Sequence, residues 1–191
     1  MIIDRASGWI ENVRRVPSPN CDDRPDVDDL ALIVVHGISL PPGEFGGAWI
    51  ERLFCNELPP HADPFFASIQ GLTVSAHVLV DRAGALTQFV PFASRAWHAG
   101  TSEYRGRPAC NDFSIGIELE GADDVPYTQA QYVALAGVIK ALRRAYPRLR
   151  RAEVVGHSDI APGRKTDPGP AFEWSRLRRL LAARPRRARR M

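Results

Sequence analysis

The sequence ALIVVHGISLPPGEFGG, residues 31–47, decides the fold class. Its first six residues form a short apolar run rich in β-branched side chains, which is typical of a strand buried on both faces. Residues 37–47 contain four Gly and two Pro, and this composition predicts a loop that leaves the strand at Gly37. His36 is therefore expected at the end of a buried strand, where an irregular loop begins.

Four further segments have the composition of strands, at residues 73–80, 85–90, 114–119 and 152–157. The first two flank the turn DRAG and are expected to pair as a hairpin. In the third, the two-residue period puts the aliphatic side chains on one face and Glu118 on the opposite face. Gly116 shares the face of Glu118, and we expect open space beside it.

Helices are predicted between these strands. In the clearest one, residues 128–146, apolar side chains recur at spacings of three and four, Thr128 and Gln131 match a capping box, and Pro147 follows the last turn. Weaker helical patterns cover residues 48–57 and 172–183. A short hairpin and one long helix between strands indicate an α/β (α+β) fold, a single domain with a mixed central β-sheet flanked by helices.

The composition is that of one globular domain. The chain has 191 residues, 45% hydrophobic and 25% charged, which excludes collagen-like repeats and disulfide-rich miniproteins. Its three cysteines are widely spaced without a CxxC pair, so reduced thiols are predicted. Apolar runs are shorter than the roughly 18 residues of a membrane span, and the N-terminus lacks a signal-peptide pattern. We therefore expect a cytoplasmic monomer without a membrane partner.

Positive charge is concentrated at the C-terminus. Eight arginines follow the last acidic residue, Glu173, although the formal net charge of the chain is only +3. The preceding part is thus net negative, and no nucleic-acid partner is expected. The run RPRRARR has the charge to bind phosphates, but terminal charge runs are more often solvated. We predict a domain over residues 1–183 and a basic, disordered tail over residues 184–191.

Two of the five histidines share a sequence context. His36 and His157 each end an apolar run and precede a loop rich in Gly and Pro, which suits metal ligands because the sheet fixes them while the loop leaves one side open. Asp167 follows ten residues after His157, and Pro168 restricts its backbone. Each also has a structural alternative: a core histidine, or an aspartate that serves a turn or helix cap. For Asp159 the structural role is preferred.

Two imidazoles and one carboxylate form the ligand set of catalytic zinc sites, in which the fourth position is left for water. Non-haem iron uses the same donors, so the residue types leave the metal open. Hydrolysis also requires a base and a cation. Glu118 is the candidate base, and Lys165, two residues before Asp167, is the candidate cation for an oxyanion. The alternatives are a surface glutamate in an ion pair and a solvated loop lysine.

Long blocks of the sequence resemble a known family. The stretches VVHGISLPPGEFGG, VSAHVLVDRAG, RAWHAGTSEYRGRPACNDFSIGIELEG and GHSDIAPGRKTDPGPAFEW are similar to the cytosolic AmpD-type 1,6-anhydro-N-acetylmuramyl-L-alanine amidases. That group lies within the wider zinc amidases, which include peptidoglycan recognition proteins and phage amidases. The resemblance runs from about residue 14 to Trp174, and several long blocks in the same order are far more specific than one short motif.

The resemblance implies a role for each matching residue. One Zn²⁺ would be bound by His36, His157 and Asp167, with Glu118 as the acid/base and Lys165 beside the oxyanion. The implied reaction is hydrolysis of the amide that joins the lactyl group of anhydro-muramic acid to L-alanine of the stem peptide, in peptidoglycan recycling. The implied partner is a small muropeptide, held in a surface groove.

Four positions bear on substrate contacts. By resemblance, Trp97 and His98 lie near the groove, where an aromatic ring can contact the sugar. Core packing is the alternative for Trp97, and for His98 a structural role is preferred. Gly37 stands where the family often has Asn, and Ala109 stands where it often has a basic residue. These departures bear on specificity.

Other functions remain as alternatives. A binding module that holds muropeptide without cutting it would generally lack a complete metal set, whereas Asp167 is present here. An iron oxygenase would be expected to place one His ligand and its carboxylate two residues apart, early in the chain; the two H-x-D sequences here, His61–Asp63 and His157–Asp159, do not include the candidate ligand Asp167. An amidase that acts on intact wall is the nearest rival, and the missing signal-peptide pattern opposes it.

Overall fold

The structure is a computed structural model that describes residues 1–183. The predicted tail, residues 184–191, lies outside the described residues. The strands, numbered in chain order, are β1 Ile3–Asp4, β2 Trp9–Ile10, β3 Arg14–Arg15, β4 Cys21–Asp23, β5 Leu32–Ile38, β6 Val78–Val80, β7 Leu86–Gln88, β8 Ser94–Ala96, β9 Glu103–Tyr104, β10 Arg107–Pro108, β11 Ser114–Glu120 and β12 Glu153–Gly156. The α-helices are α1 Trp49–Phe54, α2 Pro64–Ser68, α3 Gln129–Ala145, α4 His157–Ile160 and α5 Trp174–Ala182. Two 3₁₀ helices cover Cys110–Asp112 and Pro147–Arg151.

The central sheet contains six strands in the spatial order β12, β5, β11, β6, β7, β3. Neighbouring strands are parallel, except that β6 and β7 form the predicted antiparallel hairpin. Three further strand pairs, β1–β2, β4–β8 and β9–β10, are separate from this sheet. The prediction of a mixed sheet flanked by helices is confirmed.

Helix α3 packs on one face of the sheet. The Thr128 hydroxyl accepts a hydrogen bond from the Gln131 N–H at 3.1 Å, and the Gln131 side chain accepts one from the Thr128 N–H at 3.0 Å, so the predicted capping box is present. The apolar stripe of α3 joins Leu177 of α5 and the aliphatic side chains of β5, β6 and β11 in one buried cluster. This cluster is the largest part of the core.

The opposite face of the sheet is covered by two smaller apolar clusters. One lies around α1 and α2 and includes Phe54, Phe66 and Phe89. The other lies around Val34, Cys110 and Phe113. All seven residues of β11 are therefore buried, Glu118 among them. Within residues 1–183, the helices are too short or too polar to cross a membrane.

Several sequence-based predictions need correction. Strand β5 does not end at Gly37 but continues to Ile38, because Gly37 and Ile38 pair with the last two residues of β11. The strand predicted at residues 73–80 is regular only from Val78, because the Ser75 and His77 N–H groups bond to the carbonyls of Trp97 and Gly116 outside a regular ladder.

Two further corrections concern the site. His157 does not end a strand but begins α4, directly after Gly156 of β12. The space beside Gly116 is not open, because a Cβ there would lie 2.3 Å from Cγ of His98.

Candidate active site

Strand register brings three of the predicted residues together. In the parallel pair β5–β11, His36 is directly opposite Glu118. In the pair β12–β5, Gly156 is opposite Val35, so the following residue, His157, arrives beside His36. Histidines that are 121 positions apart in the chain become neighbours because their strands are adjacent and parallel.

Asp167 completes a compact group of donor atoms. The Nδ1 atoms of His36 and His157 are 3.0 Å apart, and each is 3.2 Å from Oδ2 of Asp167. Metal–ligand bonds of about 2.0–2.1 Å at tetrahedral angles place donor atoms about 3.3 Å from one another. The three predicted ligands therefore have the spacing that a tetrahedral ion requires.

The protonation of these residues also fits a cation. Burial lowers the pKa of His36 to about 4, so its imidazole is neutral near pH 7. Burial acts against the charge of Asp167, but the two imidazoles beside it hold the pKa of its carboxyl below the usual range. The Nε2 atom of His157 lies 3.2 Å from the Ala99 carbonyl, which only accepts, so the neutral ring that binds a metal carries its proton on Nε2 and offers the lone pair of Nδ1. A carboxylate and at least one imidazole lone pair thus converge on one point.

Glu118 lies close to these three side chains, and one of its carboxylate oxygens has no hydrogen-bond partner among the described residues. Its side chain is buried, and within residues 1–183 its Oε2 has no hydrogen-bond partner. Burial, followed by the negative charge of Asp167, raises the pKa of Glu118 well above its usual range, whereas Lys165 acts in the opposite direction. A carboxyl group of this kind can accept and donate a proton near neutral pH.

A cavity of about 300 Å³ lies beside these side chains; His36, which is 1% exposed, is not among the described residues that line it. Glu118, His157, Asp167 and Lys165 line one part of it. The remaining wall is largely apolar and includes Leu40, Leu53, Phe54, Phe65, Ile69, Leu72 and Val74. Phe65 and Leu72 are among the exposed large apolar side chains of the protein, with 37% and 47% of their surface accessible. The cavity therefore offers polar chemistry on one side and an apolar contact surface on the other.

The two predicted substrate-contact residues differ in position. Trp97 is half-buried and is not among the described residues that line this cavity. Its backbone N–H donates to Ser75 Oγ at 3.0 Å. His98 borders the cavity, but it is 8% exposed and both its ring nitrogens lie within hydrogen-bonding distance of protein atoms.

Some predicted details concern structure rather than chemistry. Asp159, in the first turn of α4, accepts a hydrogen bond from the Gly156 N–H at 2.7 Å, a structural contact of the kind preferred for it from the sequence. At Gly37 a Cβ would lie 2.3 Å from the Tyr127 hydroxyl, which itself donates to the Pro168 carbonyl. Tyr127 and the apolar cavity wall had no signal in the sequence pattern, because both depend on contacts between distant segments.

Comparison with known proteins agrees with this geometry. The family described as N-acetylmuramoyl-L-alanine amidase matches residues 27–170. A relative from Escherichia coli (strain K12), 1,6-anhydro-N-acetylmuramyl-L-alanine amidase AmpD, is 59% identical over 175 residues, which cover 92% of this chain and 95% of the relative.

Solved structures give the same result. A crystal structure of a selenomethionine derivative of AmpD matches with a TM-score of 0.91 at 56% identity, covering 95% of this chain and 99% of that chain. The amidase AmiD from E. coli, in complex with the substrate anhydro-N-acetylmuramic acid-L-Ala-D-gamma-Glu-L-Lys, matches with a TM-score of 0.57 at 30% identity, covering 80% of this chain and 57% of that chain. From the match over residues 27–170 and the identity to AmpD along nearly its whole length, the chain belongs to the N-acetylmuramoyl-L-alanine amidase family.

Proposed function

We propose that this protein hydrolyses the amide between the lactyl group of 1,6-anhydro-N-acetylmuramic acid and L-alanine of the stem peptide, as a zinc enzyme of peptidoglycan recycling. The observation that carries the proposal is the convergence of His36, His157 and Asp167 beside the unpaired carboxyl of Glu118. The similarity to AmpD supports the substrate, because that relative is named for this bond.

The metal ligands in this proposal are His36 Nδ1, His157 Nδ1 and one oxygen of Asp167. These three side chains offer one donor atom each within 4.8 Å of one another. Zn²⁺ at such a site polarises a carbonyl and lowers the pKa of a bound water to about 7. Two imidazoles and a carboxylate suit zinc, and the family resemblance favours zinc over iron.

Glu118 is proposed to move the proton. It takes a proton from the water that attacks the lactyl carbonyl and gives that proton to the nitrogen of the departing L-alanine. Its burial supports the second step, because a carboxyl with a raised pKa retains a proton long enough to donate it. Tetrahedral collapse then breaks the carbon–nitrogen bond and releases the peptide with a neutral amine.

Lys165 is proposed to stabilise the negative charge that develops on the lactyl oxygen. Its side chain lines the cavity that contains Glu118 and Asp167. It is close enough to act on the charge of Glu118, lowering the pKa of that carboxyl. A positioned cation at an oxyanion typically contributes about 3–4 kcal/mol to transition-state stabilisation, by analogy with a lost oxyanion donor.

The partner and cellular context complete the proposal. A small muropeptide is the substrate, with no nucleic-acid or membrane partner, and the protein acts in the cytoplasm as a monomer. The catalytic domain covers residues 1–183, and residues 184–191 are not required for hydrolysis. Removal of the codons for residues 184–191 should leave turnover of an anhydro-muropeptide unchanged.

Product analysis tests the proposed substrate. The protein is incubated with a defined anhydro-muropeptide and, separately, with intact peptidoglycan, and products are identified by mass spectrometry. We expect anhydro-muramic acid and free stem peptide from the first substrate. Cleavage of intact wall alone would instead establish a wall-lytic amidase, and binding without cleavage would establish a recognition module.

A further inference from the structure

We propose that His98 is a positioning residue, which holds His36 in the tautomer that leaves Nδ1 free to bind metal. The inference rests on the proposed function, because it takes His36 as a metal ligand. It assigns to His98 a task directed at the metal centre instead of contact with the sugar. The His98 ring contacts His36 on the side away from Asp167.

The direction of each hydrogen bond follows from a chain of four groups. Ser114 Oγ lies 2.5 Å from the Cys110 carbonyl, which only accepts, so the hydroxyl proton points there. Ser114 Oγ therefore accepts from His98 Nε2, 3.2 Å away. A neutral imidazole protonated at Nε2 accepts at Nδ1, and that atom is 2.9 Å from His36 Nε2. His36 consequently donates from Nε2 and keeps the lone pair of Nδ1.

Without the acceptor at His98 Nδ1, the proton of His36 would be more favourably placed on Nδ1 than on Nε2. The Nδ1 atom of His36 is 3.2 Å from Oδ2 of Asp167 and 3.0 Å from Nδ1 of His157, and both of these atoms can accept a hydrogen bond from it. A proton at Nδ1 blocks the lone pair that must bind metal. His98 thus competes with Asp167 and His157 for the proton of His36, and the acceptor at His98 favours the tautomer whose Nδ1 can bind metal.

The strand beneath His98 is built to admit its ring. Any Cβ at position 116 would lie 2.3 Å from Cγ and 2.6 Å from Nδ1 of His98, so Gly116 is the residue type that leaves room. The backbone at His98 is fixed as well. Asn111 Oδ1 accepts from the N–H groups of His98 at 3.1 Å and Ala99 at 2.8 Å.

The same segment orients the second imidazole. The Ala99 carbonyl lies 3.2 Å from His157 Nε2, and Arg164 donates to that carbonyl at 2.6 Å. Residues 98 and 99 therefore supply the outer acceptor for both histidine ligands, one through a side chain and one through the backbone. Partners of this kind usually change metal affinity or activity about 10–100-fold when they are removed.

A matched pair of substitutions tests the proposal. Leu and Asn are similar in shape, but only Asn offers an oxygen near the position of His98 Nδ1. Zinc affinity is measured by competition with a chromophoric chelator for the wild type, His98→Leu and His98→Asn. We expect His98→Leu to weaken zinc binding about 10–100-fold and His98→Asn to recover most of that loss. Equal affinities for the two variants would overturn the proposal.

The tautomer itself is read in the metal-free protein by long-range ¹H–¹⁵N NMR of the histidine rings. His36 should carry its proton on Nε2 in the wild type and in His98→Asn, and on Nδ1 in His98→Leu. Ser114→Ala, a smaller change, should shift the tautomer in the same direction as His98→Leu. A wild-type His36 protonated on Nδ1 would refute the proposal, even if His98→Leu proved too unstable for titration.

These results separate two kinds of failure. If the wild type and His36→Ala bind zinc equally, His36 is not a ligand and the proposed function fails first. If the wild type binds zinc through His36 but His98→Leu binds it equally well, only the role of His98 fails. Thermal unfolding of the metal-free variants provides the folding control, since a merely structural role would lower stability equally in the Leu and Asn variants.

Discussion

At the residue scale, two glutamates on one strand have different roles because their hydrogen-bond partners differ. Glu118 and Glu120 lie two positions apart on β11 and both are buried. The carboxylate of Glu120 accepts from the Gly46 N–H at 2.5 Å and the Arg82 N–H at 3.2 Å, so both its oxygens are satisfied. Glu118 has an oxygen without a hydrogen-bond partner among the described residues and lines the same cavity as the proposed ligands His157 and Asp167. The carboxylate of Glu120 is held by two hydrogen bonds, whereas the unpaired oxygen of Glu118 is available to accept a proton.

This difference gives a prediction for catalysis. Glu118→Gln preserves the shape of the side chain but removes the group that carries the proton. We expect turnover of anhydro-muropeptide to fall by about 10²–10⁴-fold, the usual contribution of general acid–base catalysis. Zinc affinity should stay close to that of the wild type, because Glu118 is not one of the three ligands. Both are measured on the same preparation.

The control for that prediction is Glu120→Gln. This change replaces a carboxylate that accepts from two N–H groups, so it should lower the stability of the protein while most of the turnover is retained. Undiminished hydrolysis by Glu118→Gln would remove Glu118 from the mechanism.

At the element scale, the N-cap of α3 both starts the helix and joins it to a neighbouring element. The start of α3 is fixed by Thr128, whose hydroxyl accepts from the Gln131 N–H and donates to the Arg82 carbonyl at 2.9 Å. The same residue therefore caps a helix and ties it to the turn of the β6–β7 hairpin. A cap that also makes a tertiary contact should contribute more than one on an isolated helix.

Thr128→Ala should lower the free energy of unfolding by about 1–2 kcal/mol, the upper part of the range for N-caps. Thr128→Ser keeps the hydroxyl and should lose much less. Urea unfolding measures both, with an unchanged m-value as the sign that stability alone has changed. If the Ala and Ser variants lose the same stability, the methyl group and not the cap would be responsible.

At the scale of the whole molecule, the site joins segments that have no other link. The ligands come from β5, from α4 after β12, and from the loop before α5, and a bound ion would connect all three. An ion that binds only the folded state stabilises it by about 2.7 kcal/mol when its concentration is 100 times Kd. For a protein of this size, that corresponds to a rise in Tm of about 5–11 °C.

Chelation should therefore lower the Tm of the wild type, and added zinc should restore it. Differential scanning calorimetry with and without a chelator measures the shift. His36→Ala is the control, because a protein without this ligand should respond little to either treatment. A wild-type Tm that ignores the chelator, in protein shown to contain zinc before treatment, would contradict a role for the ion in stability.

Acid should destabilise the metal-free protein from about pH 6.5 downward. Burial lowers the pKa of His36 to about 4 and lowers the pKa values of His77 and His98 as well, so these rings stay neutral when folded but take up protons when unfolded. Their stabilising effect is complete above pH 6.5 and is lost as the pH falls toward 4. Each proton taken up on unfolding contributes a slope of about 1.4 kcal/mol per pH unit.

Glu118 has the opposite effect on stability. Folding raises its pKa, so the folded protein takes up this proton first, and that uptake stabilises it as the pH falls. Three histidines outnumber one glutamate, so the net effect is a loss of stability in acid. Urea unfolding of the metal-free protein between pH 7 and pH 4.5 measures the slope. Glu118→Gln should make the fall steeper, since the one opposing group is removed; a shallower fall would contradict this sign.

The sequence by itself determined the elements and the types of chemical group. Periodicity located β5, β11 and α3 because their apolar spacing reflects burial on known faces, and the capping box of α3 followed from two residues three positions apart. The setting of His36 and His157, each between an apolar run and a segment rich in Gly and Pro, was visible in the same sequence. Family resemblance added the roles.

Only the tertiary structure decided which groups are paired and which are free. Strand register placed His36 opposite Glu118 and beside His157, and a register is fixed by contacts along whole strands, not by local spacing. The sequence pattern left an empty space at Gly116, whereas the fold fills it with the ring of His98. The direction of the hydrogen bonds, the burial of the site and the unpaired oxygen of Glu118 all depend on contacts between segments far apart in the chain. Such contacts exist only in the folded protein.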